Sequence, residues 1–341
     1  MPTEVPDSPL WKSSSAGSED AVGTCLVRSG TSRIIVVNRR DAPSGIEDSD
    51  LALRLFGRDS VADGIGGDHY QLNKLAIWNR HATDGIEFAF FNLAPGSRRV
   101  SRGAECGHAG VAVALVAGPD RPDEPVRVRN VDTGQLLEVA SHGASKGRSG
   151  AFLAKVIHDP AITVMNEAEL VATSPTGDEL RWETVPAGNI FALVPSLNTC
   201  DDEAARRQIQ RVTLEWARDT GRVNATAEFI RTISYDARWE DAARCRVDAV
   251  CHNGSEKHHS LPVSGSSALC THLAVHRLRS AGLPPSTDPN RFRIEFDLTS
   301  VSGTETVTVE AERRSGDWGI LSTSCSTNAR LLLEGITFLS R

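Results

Sequence analysis

The sequence predicts an α+β fold of two similar lobes, each a mixed β-sheet wrapped around a central helix, facing one another across a cleft. Three observations carry this expectation. The chain has 341 residues, more than a single domain usually holds. Helical runs punctuate strand-like runs throughout. Two of the helical runs open alike, from a turn of small residues: Gly103-Ala-Glu-Cys106-Gly-His-Ala-Gly110 feeds the apolar run 111–116, and Ser264-Gly-Ser-Ser267 feeds a second helix that ends at Gly282.

Taken in order, residues 1–21 are rich in Ser, Pro, Asp and Glu and read as a disordered tail. Two short strands, 25–27 and 34–37, flank the polar turn Arg28-Ser-Gly-Thr-Ser-Arg33, whose hydroxyls and arginines suit a carboxylate as well as a plain hairpin. Ser49 or Asp50 caps a helix over 51–56 that Gly57 closes. Lys74 stands at the start of the apolar run 75–78, and 85–93 is a strand rich in aromatic residues. The Cys106 helix ends at Gly118, and strands follow over 126–131, 136–140 and 151–156. Residues 157–198 are extended and broken by four prolines, and the change of composition at Gly177-Asp-Glu marks the crossing between lobes. A helix over 203–220, strands over 228–234 and 244–250, the second small-residue helix and strands over 291–298, 305–311 and 318–322 complete the pattern.

The chemistry concentrates in two stretches. Asp63-Gly-Ile-Gly-Gly-Asp-His-Tyr-Gln-Leu-Asn-Lys74 is a glycine-rich turn that delivers a lysine, and Gly103 to Gly110 sets Cys106 at a helix start. A helix N-terminus has unpaired N–H groups and favours negative charge, so a thiol there is a candidate acid or base. Lys74 is its candidate partner, as a second proton carrier or an anchor for an anion. A lone cysteine is more often a small core residue, and a lone lysine a solvated one. The glycines around them, which bring backbone N–H groups close to a bound anion, favour a site.

Several classes are excluded. The net charge of −7 argues against nucleic-acid binding. No apolar stretch has the length of a signal peptide core or a membrane span, so a soluble, cytoplasmic protein is expected. Seven scattered cysteines without a C-x-x-C pair suit reduced thiols. His272 and His276 share a helix face, but the glutamate of H-E-x-x-H is missing and the cysteines lack ligand spacing, so no metal is expected. His69 stands where a dinucleotide fingerprint needs its third glycine, and no cofactor is implied.

Beyond these readings, the chain resembles the PrpF family, whose members include 2-methylaconitate, methylitaconate and 4-oxalomesaconate isomerases. Leu26-Val-Arg-Ser-Gly-Thr-Ser-Arg33 is similar to its "M-R-G-G-T-S-K-G", and Asp63-Gly-Ile-Gly-Gly67 with Asn73-Lys74-Leu-Ala-Ile77 to "D-G-x-G-G … T-S-K-V-A-I". Ala104-Glu-Cys-Gly-His108 falls at "G-N-C-G-N", Val126 to Gly134 at "V-R-I-x-N-x-N-T-G", and Thr327 to Gly335 at "R-T-A-R-R-L-M-x-G". The resemblance implies a diaminopimelate epimerase-like fold, with a lobe of residues 22–183 to which 322–341 returns and a second lobe of 184–321. It implies Cys106 and Lys74 as catalytic residues and no cofactor. The substrate-binding candidates are Arg28, Ser29, Thr31, Ser32, Gly66, Gly67, Asn73, Glu105, Gly107, His108, Ser264, Ser266, Ser267, Ser302 and Arg330.

The implied reaction is a proton or double-bond shift, allylic or cis–trans, in a small unsaturated acid of the aconitate or itaconate type or a related natural-product intermediate, by a monomer or homodimer; double-bond isomerisation or cyclisation of a less anionic molecule is the alternative. Two-cysteine racemases of this fold place a second thiol at the second helix start. Here serines occupy that start and Cys270 lies a turn further in, which disfavours racemisation. Glu105 and His108 replace the family's asparagines around the cysteine, and Ser300-Val-Ser-Gly303 replaces "H-P-S-G". A carboxylate ~5 Å from a bound carboxylate costs about 3 kcal/mol at an effective dielectric near 20, roughly a hundredfold in affinity. Glu105 is therefore expected to turn the site from tricarboxylates toward a less anionic, natural-product-like substrate, unless Arg33, Arg102 or a protonated His108 neutralises it. A cleft that binds without catalysing is the remaining reading.

Overall fold

In the computed structural model the strands pair into one continuous mixed sheet whose order is set by a repeated unit. The structure describes residues 21–57, 64–81, 85–94, 97, 99–118, 124–142, 149–158, 168–197, 201–222, 230–254, 256–280, 288, 290–314 and 317–339. Residues 1–20 and Gly282, on which the expected tail and helix end fall, lie outside the described residues. The elements of the first half are β1 (Ala21–Ser29), β2 (Ser32–Asn38), α1 (Asp48–Phe56), β3 (Lys74–His81), β4 (Gly85–Leu93), β5 (Val100–Arg102), α2 (Gly107–Ala117), β6 (Val126–Asn130), β7 (Leu136–His142), β8 (Ser149–Ile157) and β9 (Ala168–Thr173). Those of the second half are β10 (Glu179–Pro186), β11 (Ile190–Val194), α3 (Glu203–Asp219), β12 (Arg231–Trp239), β13 (Arg244–Asn253), β14 (Glu256–Lys257), α4 (Val263–Ser280), β15 (Arg291–Ser300), β16 (Gly303–Arg314) and β17 (Asp317–Phe338).

The two halves follow one pattern. Hairpin β1–β2 leads through α1 to β3, which runs parallel to β2. Next come antiparallel β4, short β5, helix α2, and β6 parallel to β4, with β7 and β8 added antiparallel. Hairpin β10–β11 leads through α3 to β12, parallel to β11. Antiparallel β13, short β14, helix α4 and β15 parallel to β13 follow, and antiparallel β16 and β17 end the unit. The internal repeat expected from two small-residue turns thus extends to ten matched elements. Residues 322–338 of β17 cross back to the first half and pair with β8 and β1.

The second helix of each repeat is buried along most of its length. Every described side chain of α2 except Leu115 and Val116 is buried, and α4 is buried from Val263 through Val275. A helix buried on nearly all sides must be apolar nearly all round, which explains the run Ala-Gly-Val-Ala-Val-Ala-Leu-Val in α2. The apolar residues around both helices join in one continuous core, with smaller clusters under α1 and α3. The amphipathic α3 buries Ala205, Ile209 and Ala217 and starts where the Asp202 side chain accepts the Ala204 N–H at 2.9 Å.

One local expectation is corrected. Helix α1 begins at Asp48 after Glu47, because Asp48 and Asp50 both suit its first turn and Asp50 is held by Arg54 at 2.8 Å. Gly177, with φ +95°, lies in the tight turn of the β9–β10 hairpin.

Candidate active site

Lys74 and Cys106 meet at the start of α2. Lys74 is the first residue of β3, level with Ile34 on parallel β2, and its side chain is buried. Its Nζ donates to Ser32 Oγ at 2.8 Å, stands 4.0 Å from Cys106 Sγ, and lies over the Tyr70 ring, 5.7 Å from the centroid. Burial lowers the lysine pKa, the positive charge of Arg231 lowers it further, and Cys106 opposes both. Cys106 is the residue before the first turn of α2, where the Gly107 and His108 N–H groups have no acceptor within the helix.

The glycine-rich turn shapes this site by packing. Asn73 clamps Gly67, its Oδ1 accepting the Gly67 N–H at 2.7 Å and its Nδ2 donating to the Gly67 carbonyl at 2.9 Å. Arg33 donates to the carbonyls of Ile65 and Gly66 at 3.0 and 2.8 Å. A side chain on Gly66 would begin 2.3 Å from the Phe56 carbonyl oxygen, so glycine is what lets this turn lie against the end of α1. Gly67 therefore has no N–H left for an anion, and Asn73 and Arg33 act on the turn.

Glu105 is likewise turned into the protein. Its Oε1 accepts the Cys106 N–H at 2.9 Å, and its Oε2 accepts from Asn130 Nδ2 at 3.0 Å and Thr133 Oγ1 at 2.7 Å. Burial raises its carboxyl pKa from 4.5 to about 7 against these three hydrogen bonds. Because the folded value is raised, between pH 4.5 and 7 the folded chain holds a proton that the unfolded chain has lost. Stability therefore falls as pH rises through that window, by about 3 kcal/mol from this group. Urea unfolding at pH 5 and pH 8 should show that difference shrinking in Glu105→Gln. Parallel profiles for variant and parent would contradict this assignment.

The second half of the chain supplies the opposite wall. Asn189, in the turn after β10, accepts the Glu105 N–H at 3.0 Å and donates to the Glu105 carbonyl at 2.8 Å and to Ser264 Oγ at 3.3 Å. The two helix starts abut, since a methyl group on Gly107 would fall 2.5 Å from Val263 Cβ. Arg231 opens β12 as Lys74 opens β3, donates to Ser264 Oγ at 3.4 Å and lies over Phe191. Its charge is felt by Lys74, His108, Glu105, Tyr70 and His258, and no carboxylate pairs with it among the described residues.

Uncharged groups fill the remainder. Gln71 Nε2 reaches Thr31 Oγ1 at 3.2 Å and His258 Nε2 at 3.3 Å, and Thr31 Oγ1 meets Ser260 Oγ at 3.4 Å. Burial, helped by Lys74 and Arg231, pushes His108 down to about 3 and keeps it neutral, so it does not supply the expected cation. Ser29, paired with Ser32 across the β1–β2 hairpin and so on the Lys74 side, has a buried hydroxyl without a hydrogen-bond partner among the described residues; so has Tyr70. Buried hydroxyls are rarely left so.

The structure thus brings together Lys74, Cys106, Ser29, Thr31, Ser32, Gly107, His108 and Ser264. It leaves others apart. Arg28 and Arg330 face each other across β1–β17 on the exposed face, because Val27, Ser29 and Ala329 take the buried one. Ser302 is exposed in the β15–β16 turn, bonded to Ser300 at 3.2 Å. Ser266 donates to Glu305, whereas Ser267 meets His158 and lines a cavity shared with Glu105, Gly107 and Ser264. Cys270 is fully buried, with its thiol pushed well up by that burial. Arg102 pairs with Asp132 at 2.9 Å. Sequence reasoning missed Arg231, Tyr70, Gln71, Asn189 and His258. The repeat itself could have pointed to Arg231, since the residue opening the strand after the first helix of one repeat is Lys74.

No protein-family model matches the sequence, and no curated protein does. Solved structures do match. A methylitaconate-delta-isomerase is similar over 95% of this chain and 97% of its own, with TM-score 0.60 and 16% identity. A hydroxyproline epimerase from Agrobacterium vitis with bound trans-4-hydroxy-L-proline covers 94% of both chains at TM-score 0.58 and 13% identity. A probable proline racemase from Agrobacterium radiobacter K84 with bound carbonate covers 93% of this chain and 92% of its own at TM-score 0.54 and 13% identity. No helix of the described residues is long and apolar enough to cross a membrane. The chain therefore has a sheet-rich α+β fold shared with isomerases, epimerases and racemases, among them a methylitaconate isomerase of the kind its motifs resemble.

Proposed function

We propose that this chain is a cofactor-independent isomerase that shifts a proton, and with it a double bond, within a small unsaturated carboxylic acid. The observation that carries the reading is the buried pair of Lys74 Nζ and Cys106 Sγ, 4.0 Å apart at the start of an apolar helix. One of the two takes a proton from the carbon α or γ to a carbonyl. The electron pair of that C–H bond delocalises over the allylic system and the carbonyl oxygen, and the other group returns a proton at the far end. The N–H groups at the start of α2 and the Arg231 guanidinium face the negative charge that develops. We read α2 and α4 with their strands as two lobes enclosing this site, the changeover lying between β8 and β9.

Arg231 serves in this reading as the anchor for the substrate carboxylate. Arg231→Met should raise KM roughly a hundredfold with a smaller change in kcat, the loss expected for one ion pair at ~5 Å and an effective dielectric near 20. Arg231→Lys should recover part of it. An unchanged KM in both variants would remove Arg231 from the site. The anionic substrate is favoured over the less anionic alternative because Glu105 is bonded to Cys106, Asn130 and Thr133. Incubating the protein in deuterated water with mono-, di- and tricarboxylic unsaturated acids tests the reading, since label enters any acid whose carbon is activated. Binding without exchange across the panel would leave the idle-cleft reading.

A further inference from the structure

Beyond the cleft, the fold assembles three metal-binding side chains that the sequence holds far apart. His272 and His276 stand one turn apart on α4, their ring centroids separated by 4.4 Å. Glu183 on β10 reaches both, its Oε2 lying 3.3 Å from His276 Nε2 and 3.6 Å from His272 Nδ1. The ligand atoms of all three lie within 4.8 Å of one another. Tetrahedral zinc with bonds of about 2.0–2.1 Å spaces its ligand atoms about 3.4 Å apart, and one carboxylate oxygen already stands at that spacing from two imidazole nitrogens.

We propose that Glu183, His272 and His276 form a zinc site, with a water completing the tetrahedron. Two imidazoles and one carboxylate are a ligand set that zinc takes when three protein groups hold it. Burial supports entry from one side: His272 is buried, Glu183 is half-buried and His276 is exposed. Eight residues of helix separate Ser264 from His272, about 12 Å along the axis, so the ion would sit outside the cleft. There it would tie β10 to α4, whose N-terminus is one wall of the active site. The sequence lacked the third ligand because Glu183 lies on a strand of the preceding hairpin.

Chelator-treated full-length protein should take up one zinc ion per chain at micromolar concentration, measured by competition with a chromogenic chelator. His276→Ala and Glu183→Gln should each weaken uptake at least ~10-fold, and Cys106→Ala should leave it unchanged, which separates the site from the active-site thiol. Both substituted side chains reach solvent, so circular dichroism should report an intact fold. No uptake at micromolar zinc, or uptake equal to the parent in both ligand variants, overturns the site. The outcome is independent of the proposed isomerase activity.

Discussion

Cys106→Ala should lower turnover by about 10³-fold or more while leaving the fold intact, because it deletes one of the two groups that carry the proton and removes little else. Positioned acid–base catalysis is worth roughly 10²–10⁴-fold, and losing the group that must complete the transfer lies at the upper end. The thiol's one hydrogen-bond neighbour among the described side chains is Lys74, so structural cost is confined to a small buried volume. Iodoacetamide should label this thiol ahead of Cys270 and Cys325, whose thiols burial pushes well above the ordinary range, and substrate should protect it. An alanine variant with full turnover would show that the thiol carries no proton.

Lys74→Met should be equally inactive yet at least as stable as the parent. The amine is buried against Ser32, Cys106 and Tyr70, and burial lowers its pKa, so the charged form destabilises the folded state and methionine removes that cost. The sign follows directly. Between the lowered folded value and the unfolded value of 10.5 the unfolded chain holds the extra proton, so raising pH through that window stabilises the parent. Lys74→Met should lack that rise, as read from urea unfolding of both proteins at matched pH. Turnover near that of the parent would exclude Lys74 from proton transfer, and loss of stability would show that its hydrogen bonds outweigh its desolvation.

Much of this was legible in the sequence, for reasons that separate by residue. Many of the strands and the two apolar helices follow from hydrophobic period and glycine punctuation, although the extended stretch 157–198 holds β9, β10 and β11, and the pairing of Lys74 with Cys106 was expected from two motifs that resemble those of one family. What stayed hidden depends on pairing distant in sequence. Arg231 reaches the site because β12 runs parallel to β11 as β3 does to β2, a relation carried by topology and not by any local motif. Glu105 read as a substrate-facing carboxylate because its partners Asn130 and Thr133 lie 25 and 28 residues away. Arg28 and Arg330 were misplaced through parity, since in a strand the residue next to a buried one faces the other way. The same limit hid the meeting of Glu183 with the two α4 histidines.

The central claim is that Lys74 and Cys106 are the two ends of one proton transfer, and isotope exchange with the paired variants tests it most directly. In deuterated water, with an unsaturated acid that the parent isomerises, the product should carry solvent deuterium at the far carbon. Of Cys106→Ala and Lys74→Met, the variant that keeps the base should still exchange the original C–H without forming product, and the variant that has lost the base should do neither. Isomerisation with the parent's labelling pattern in both variants would contradict the account and move the proton-carrying groups elsewhere in the cleft.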